Sequence, residues 1–257
     1  MDLPVCVMLW IGDALSAVER ACIRSVLRQG HRLVLYTYDD LKGVPEGVEL
    51  ADAASVLPRE TIIRHKSGSV SLFSDRFRFE IMRQSLGVWL DSDAYLIKPL
   101  HIEQDKHFFA FCEPGYVGQG VLYMPPDSPV IEPLLRLFEQ PYIPDWLRKR
   151  DRIRAYWRKF RQGHINLGDM PWGVGGPMGL TALVQRHGLM DQVMPPDVHY
   201  PWDWQVADWI FDPARSLEEH ITPATQALHL YNTMIASRKN EPAQPGSFMH
   251  RLQQEGA

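Results

Sequence analysis

The chain has 257 residues, of which 45% are hydrophobic and 23% are charged, and its formal net charge is −4. These proportions are close to those of soluble globular proteins, which argues against a disordered, collagen-like or coiled-coil chain. The weak negative charge provides no overall attraction to nucleic acid or to an anionic surface, and the length suits a single large α/β domain with insertions.

The sequence shows no sign of a membrane span or of a cleaved leader. No stretch approaches the roughly 20 consecutive apolar residues that cross a bilayer. The N-terminal segment MDLPVCVMLWIGD has no basic residue before its apolar run. Cys6, Cys22 and Cys112 are widely spaced and form no CxxC pair, which favours reduced core cysteines over a zinc site. We therefore expect an unprocessed cytoplasmic protein.

The N-terminal part of the chain alternates strand and helix. Residues 5–9 form a short apolar run that predicts a buried strand. Ser16 and Glu19 form an S-x-x-E capping box, and the helix that they begin is closed by Gly30. Residues 32–38 predict a second strand. A strand, helix and strand with short links indicate a parallel sheet.

A helix and a strand lead to a pair of aspartates in the middle of the chain. Residues 42–58 are rich in turn residues, and no element is assigned there. Residues 71–84 carry a helical apolar stripe. Residues 88–90 form a compact apolar run that continues directly into Asp91-Ser92-Asp93. The sequence thus predicts a carboxylate pair at the carboxyl end of a strand.

Later segments are assigned by the same signals, short apolar runs for strands and helical periodicity for helices. The residues after Glu241 show no strong pattern and are expected to be loosely held. The predicted strands are 108–111, 121–124 and 227–230, and the predicted helices are 129–139, 146–160 and 176–186.

The two aspartates have the chemistry of a divalent-cation site. If the strand geometry continues, Asp91 and Asp93 leave the same face and present two hard oxygen ligands. Mg²⁺ or Mn²⁺ commonly takes one or two protein carboxylates together with phosphate oxygens. A bare D-x-D is more often a turn or a helix cap. Asp75 and Arg78 lie three residues apart on the preceding helix, where an exposed ion pair of little energetic value is the alternative.

The segment SDRFRFEIMRQSLGVWLDSDAYLIKPL closely resembles the DXD sugar-binding region of glycosyltransferase family 32 and related α-glycosyltransferases. These relatives include capsular-polysaccharide transferases and, more remotely, the clostridial glucosylating toxins. The resemblance implies a GT-A type, Rossmann-like nucleotide-sugar-binding α/β fold with a mainly parallel central sheet flanked by helices. The matching residues are Ser74, Asp75, Arg78, Gly87, Trp89, Leu90, Asp91, Asp93, Lys98 and Pro99.

The resemblance also implies roles for the matching residues. Asp91 would contact ribose or metal, Asp93 would ligate the metal directly, and Asp75 and Arg78 would hold donor-sugar hydroxyls. Two departures from the family pattern weaken the inference of which donor is bound. Leu86-Gly87 stands where the family has two glycines, and Trp89 stands where it has a tyrosine. Trp89 and Ser92 are included among the donor-binding candidates, and Arg78, Asp91 and Asp93 are the catalytic candidates.

Weaker similarity to the family extends over the rest of the chain. Trp10 could equally be an ordinary core residue, and a lone histidine such as His229 is more often a satisfied core residue than a ligand. The candidates are Trp10, Gly12, Tyr36 and Tyr38 near the nucleotide base, Gln119 near the donor sugar, Gly176 and Pro177 on the acceptor side, and His229 and Asn232 at the metal.

The resemblance implies metal-dependent glycosyl transfer with retention of configuration. A hexose would pass from a nucleotide-diphosphate sugar, with a UDP-sugar expected, to a glycan or lipid-linked saccharide, with Mn²⁺ or Mg²⁺ as cofactor. Residues 1–257 would form one domain. Residues 1–100 would be the nucleotide-sugar-binding half, 101–240 the acceptor-binding half and 241–257 a C-terminal tail.

Three other functions are open to the sequence. A phosphohydrolase could use the first aspartate of D-x-D as its nucleophile, although D-x-D-x-T after the first strand is the usual pattern there. A dinucleotide-dependent oxidoreductase is suggested only by GVGGPMG at 173–179, whose proline and spacing fit poorly. A sugar-binding module without turnover is the non-enzymatic alternative.

A helical insertion is expected near 141–165, and residues 146–161 are strongly basic and aromatic. One interpretation is a solvated helix whose aromatic residues dock on the core. The other is a surface helix resting on anionic lipid near a lipid-linked acceptor, at the inner face of the membrane. No recognised module supports nucleic-acid binding.

Overall fold

The computed structural model describes residues 3–257; Met1 and Asp2, which belong to the predicted first half, lie outside the described residues. The strands are β1 (Cys6–Trp10), β2 (Leu33–Thr37), β3 (Glu49–Asp52), β4 (Val88–Leu90), β5 (Ala94–Leu96), β6 (Phe111–Glu113), β7 (Tyr116–Val117), β8 (Val121–Leu122) and β9 (Ala227–His229). The α-helices are α1 (Ala17–Arg28), α2 (Ser71–Arg83), α3 (Ile131–Glu139), α4 (Lys149–Gln162), α5 (Pro177–Arg186), α6 (Asn232–Ile235) and α7 (Phe248–Glu255). Short 3₁₀ helices are Ala53–Ser55, Arg59–Thr61, Leu167–Asp169, Met190–Gln192, Pro196–Val198, Trp204–Phe211 and Leu217–Glu219.

Five of the strands form a central sheet in the order β3-β2-β1-β4-β8. The first four are parallel, and β8 runs antiparallel to β4 at the edge. The chain is therefore a mixed α/β protein with a mainly parallel central sheet, as the opening strand, helix and strand predicted. Parallel strands bring their carboxyl ends to one edge, which is where open α/β sheets bind ligands.

Helices cover both faces of the sheet. Successive residues of a strand point to opposite faces, so β1 divides its side chains between two cores. Met8 packs with Ile23 of α1, whereas Val7 packs with Phe73 and Phe77 of α2. The predicted helix at 71–84 is thereby confirmed as α2, and its apolar stripe lies on the sheet.

Several strand assignments differ from the prediction. β5 was not predicted, and β8 ends at Leu122 rather than at residue 124. The segment 42–58, left without an element, contains β3, whose side chains are mostly exposed at the edge of the sheet. An exposed edge strand needs no apolar alternation, so the sequence carried no signal for it. The strand predicted at 108–111 is wrong in its bounds: Phe108 and Ala110 form only isolated bridges, and regular pairing begins at Phe111.

The basic segment is a helix, but it is shorter and more exposed than predicted. It begins at Lys149. Trp146 lies in the preceding loop and donates its indole N–H to the carbonyl of Val174 at 3.0 Å. None of the residues of α4 is buried. Trp146 packs against the core, as one interpretation of the segment expects. Tyr156, Trp157 and Phe160 are each more than half exposed, so for these three rings that interpretation is wrong.

The C-terminal residues are packed rather than loosely held. Phe248, Met249 and Leu252 of α7 are buried, and the ring of Phe248 stacks on Trp209. Arg20 and Arg24 of α1 donate to backbone carbonyls at the end of α7. The prediction failed because an eight-residue helix offers only three apolar positions, too few to stand out from the sequence.

No helix within residues 3–257 combines the length and the apolar character that crossing a bilayer requires.

We predict that Leu252→Ala lowers the free energy of unfolding by about 3 kcal/mol, because it removes a fully buried side chain from the contact between α7 and α1. Denaturant unfolding followed by circular dichroism measures the effect. Gln254→Ala, an exposed position on the same helix, is the matched control. Equal stabilities for the two variants would contradict a packed C-terminus.

Candidate functional site

The carboxylate pair lies at the carboxyl end of β4, in a tight turn. The N–H of Ala94 donates to the carbonyl of Asp91 at 2.8 Å, so the chain turns at Ser92 and Asp93 before β5 begins. The expectation that a continued strand sends both carboxylates to one face is wrong, because the turn ends the two-residue alternation. The carboxylates nevertheless converge: one potential ligand atom from each of Asp91, Asp93 and His229 lies within 4.8 Å of the others.

His229 reaches this cluster from β9, which pairs antiparallel with β5 and sets His229 opposite Ala94. Its Nε2 lies 3.4 Å from Asp91 Oδ2 and 3.6 Å from Asp93 Oδ1. Gly120 makes room for the ring, since a Cβ at that position would lie 2.4 Å from the ring of His229. The structure therefore brings together three of the four residues predicted at the metal.

Asp91 is fixed by two further side chains on the side away from His229 Nε2. Trp89 donates its indole N–H to Asp91 Oδ1 at 2.8 Å, and Arg78 Nη2 lies 3.1 Å from the same oxygen. Burial would raise the pKa of Asp91, but the Arg78 cation and the hydrogen bonds from His229 and Trp89 outweigh it and lower the pKa below its usual range. Trp89 is 1% exposed, so it acts on the site through Asp91.

A buried polar pair lies beside Arg78. The guanidinium of Arg78 donates to the backbone carbonyl of Gln119 at 2.8 Å and lies 3.7 Å from Asp75. Gln119 Nε2 donates to Asp75 Oδ1 at 2.5 Å, and Gln119 Oε1 is buried with no hydrogen-bond partner among residues 3–257. Asp75 and Arg78 are both buried, so the interpretation as an exposed ion pair is wrong.

Burial makes Asp75 a weaker acid than an ordinary aspartate. Desolvation of the carboxylate is the largest influence and raises the pKa of Asp75 to about 7, against the lowering effects of Arg78 and Gln119. At neutral pH the protonated and the ionised forms of this carboxyl group are therefore both populated. The protonated form is able to donate a hydrogen bond, and the ionised form accepts one.

The turn predicted on the acceptor side lies directly against this polar pair. Gly176 caps α5, and Pro177 occupies the first turn of the helix, as predicted. A Cβ on Gly176 would lie 2.5 Å from Gln119 Nε2 and 2.7 Å from Asp75 Oδ2. The absence of a side chain at Gly176 therefore keeps the space beside Asp75 and Gln119 free.

Asn232 approaches the cluster through its backbone. Its N–H donates to Asp93 Oδ2 at 2.6 Å, while its side-chain amide donates to Glu19 at 3.2 Å. Tyr231 just before it adopts a left-handed conformation with φ 55°, which turns the chain toward Asp93. Asn232 Oδ1 is buried and unpaired within the described part of the chain.

Two residues that contribute to the site were not predicted from the sequence. Glu19 was assigned only to a helix cap, yet its carboxylate is fully buried and also contacts Lys239, so it anchors the segment that carries Asn232. The hydroxyl of Tyr200 accepts from the N–H of Gly120 at 2.8 Å and its ring lies beside His229. Tyr200 belongs to no motif and Glu19 only to the capping box of α1, so only the folded chain brings them to the site.

The candidates for the nucleotide base are not gathered in one place. Tyr36 is buried against Phe77 on the α2 side of the sheet, and the hydroxyl of Tyr38 donates to the carbonyl of Leu57. Trp10 packs with the core on the α1 side, and its indole N–H is buried without a partner among residues 3–257. Gly12 follows Trp10 with φ 147°, a conformation that suits glycine.

No family model matches the sequence, and no curated protein matches it. A solved structure described as PaToxG Glycosyltransferase is 14% identical with a TM-score of 0.46, over 72% of this chain and 70% of that chain. A likeness of this degree assigns no activity, and membership of glycosyltransferase family 32 stays a prediction.

Asp75 generates a prediction about stability and pH. Its pKa is about 7 in the folded protein and its usual value is 3.8. Below pH 4 the carboxyl is protonated in both states, and between pH 4 and 7 only the unfolded chain releases the proton, so stability falls as pH rises. Asp75→Asn removes this penalty, which corresponds to about 4 kcal/mol at most.

We therefore expect Asp75→Asn to be more stable than the unaltered protein at pH 8 and to lose that advantage near pH 4. Urea unfolding across this range, in the presence of a chelator, measures the difference. Asp208→Asn removes an exposed carboxylate and is the matched control. A constant difference between pH 4 and 8 would contradict the raised pKa.

Proposed function

We propose that the chain is a metal-dependent glycosyltransferase that moves a hexose from a nucleotide-diphosphate sugar, with a UDP-sugar expected, to a saccharide. The observation that carries the proposal is the convergence of Asp91, Asp93 and His229 beside the buried cation Arg78. A divalent cation and an arginine on adjacent sides suit a diphosphate, because both neutralise its charge. The resemblance of residues 74–100 to family 32 and a GT-A fold are parts of the same proposal.

The donor atoms fit a divalent cation of intermediate character. Two carboxylates are hard ligands suited to Mg²⁺ and Mn²⁺, whereas an imidazole nitrogen is unusual for Mg²⁺. The set Asp91, Asp93 and His229 therefore favours Mn²⁺. When bound, such a cation would stabilise the charge that develops on the departing nucleoside diphosphate. Burial lowers the pKa of His229, but Asp93 and Asp91 outweigh it and raise the pKa, so metal binding would compete with a proton there.

The chain's own residues would bind and orient the donor. Arg78 is held by the hydroxyl of Ser74 and the carbonyl of Gln119, so its charge is fixed in place before substrate arrives. Asp75 and the unpaired Oε1 of Gln119 are buried acceptors suited to sugar hydroxyls. A site built to hydrogen-bond a hydroxyl discriminates strongly against a donor that lacks it.

The remaining assignments complete the proposal. In this proposal Trp10 and Gly12, at the carboxyl end of β1, would contact the base, and Ser92 would contact the donor. Gly176 and Pro177 mark the side from which a glycan or lipid-linked saccharide approaches. Retention of configuration and a cytoplasmic location are likewise proposed, and no residue is assigned as a nucleophile.

The phosphohydrolase alternative gains no support from the site. In its D-x-D-x-T pattern, a residue with a hydroxyl group stands two positions after the second aspartate and lies near both aspartates. Tyr95 occupies that position, and its hydroxyl is buried against Glu255 at 2.8 Å and Arg28 at 2.7 Å, on the α1 and α7 side. The hydroxyl of Tyr95 therefore helps to hold α7 against α1.

We predict that the protein hydrolyses a UDP-sugar slowly in the presence of Mn²⁺ and that Asp93→Asn lowers this rate by at least about 100-fold, because it removes a charged ligand at the leaving group. His229→Ala is expected to raise the Mn²⁺ concentration required for half-maximal rate. Nucleotide release measured over a panel of nucleotide sugars tests both effects.

Asp208→Asn, an exposed substitution with the same change of charge, should leave the rate unaltered. Melting temperatures confirm that each variant folds. Full Mn²⁺-dependent turnover by Asp93→Asn would contradict the proposal. Hydrolysis of phosphate monoesters alone would favour the phosphohydrolase, and donor binding without turnover would favour the sugar-binding module.

A further inference from the structure

Eight of the 27 lysines and arginines of the chain lie in one short segment, at or next to α4. Residues 146–161 contain eight lysines and arginines and a single acidic residue, Asp151, in a protein whose net charge is −4. The rest of the chain is therefore markedly acidic. The basic residues of this segment are Arg148, Lys149, Arg150, Arg152, Arg154, Arg158, Lys159 and Arg161.

The same helix presents large apolar side chains to solvent. Ile153 and Tyr156 are each 53% exposed, Trp157 is 63% exposed and Phe160 is 85% exposed. Their spacing of three, four and seven residues places them on one side of α4, and we call them the apolar stripe. Four large apolar residues exposed together are unusual on a soluble surface and indicate an interaction site.

The apolar stripe faces away from the protein. At 3.6 residues per turn its four members span about 100° of the helix circumference. Asp151, Ala155 and Arg158 lie on the opposite side, where they line a cavity together with Asp169 and Met170. The helix thus rests on the protein through one side and offers the other to a partner.

Cations flank the apolar stripe on both sides. By the same helical geometry, Arg152 and Lys159 lie along one border of the stripe, and Arg150 and Arg161 lie along the other. Lys149 is at the N-terminal end of the helix, in line with the stripe. An apolar stripe bordered by lysine and arginine, with tryptophan and phenylalanine at its centre, is the pattern of a helix that lies in the plane of a membrane surface.

Charge decides between the surfaces that this helix could meet. A two-fold dimer through α4 would set the same basic patch against itself, which costs energy. A nucleic acid would satisfy the cations and could stack its bases on the aromatic rings, but it would leave Ile153 without an apolar environment. An anionic lipid surface satisfies both, because its phosphates attract the cations and its acyl boundary accepts the stripe.

We propose that α4 docks the protein peripherally on an anionic membrane surface, with Trp157 and Phe160 inserted among the lipid headgroups. Docking does not depend on the proposed glycosyl transfer, because none of these residues belongs to the site around Asp91 and Asp93. If the chain is also the proposed glycosyltransferase, docking would hold it beside acceptors embedded in that surface.

Sedimentation of the 257-residue protein with vesicles tests the proposal. We expect the protein to sediment with phosphatidylcholine vesicles that contain phosphatidylglycerol, to stay in solution with phosphatidylcholine alone, and to be released by salt. Trp157→Ala with Phe160→Ala should abolish binding. Lys149→Gln with Arg161→Gln should weaken it at least about tenfold, because each cation near the surface contributes about fivefold.

Matched variants separate a specific effect from general damage. Leu50→Ala with Val206→Ala removes two exposed apolar side chains outside α4, and Lys42→Gln with Arg136→Gln removes two exposed cations outside it. Both should bind vesicles normally. Trp157→Phe with Phe160→Leu keeps the stripe apolar and should retain binding. Circular dichroism and melting temperature show whether every variant is folded.

Three outcomes would overturn the proposal. The first is the absence of binding to anionic vesicles. The second is equal binding by the folded Trp157→Ala, Phe160→Ala variant. The third is a dimer in light scattering that this variant converts to monomer, which would make α4 an interface between copies of the chain.

Discussion

The contact between Arg78 and Asp91 is the interaction on which the site depends. Asp91, Asp93 and Asp75 bring three carboxyl groups into a small, poorly hydrated volume, and their mutual repulsion must be offset. Arg78 does so from α2, held rigidly by Gln119 and by its contact with the ring of Trp89. The guanidinium keeps Asp91 ionised, while the more deeply buried Asp75 retains a high pKa.

The rest of the fold maintains this arrangement. Gly120 and Gly176 leave space where any side chain would displace His229 or the Asp75 and Gln119 pair. Glu19 ties α1 to the segment after β9, and Asn232 in that segment fixes Asp93 through its backbone N–H. The site therefore combines residues from both ends of the chain, so the packing of α1 and α7 supports the position of Asp93.

Local chemistry made some of this predictable. The apolar runs of β1, β2 and β4 and the capping box of α1 predict the parallel sheet, and the strand before Asp91 predicts where the carboxylates lie. Other features have no local signal. β3 is an exposed edge, α7 is too short to show a period, and the turn at Ser92 overrides the alternation of the strand. Tyr200 reaches the site only through long-range packing, and Glu19 carries only the signal of a helix cap, so no site motif contains them.

Diffraction from crystals soaked in Mn²⁺ and a UDP-sugar, recorded at the manganese absorption edge, tests the central claim most directly. The account predicts an anomalous peak within coordination distance of Asp91, Asp93 and His229, with diphosphate density between that peak and Arg78. A fully soaked crystal with no anomalous peak among these three residues would contradict it.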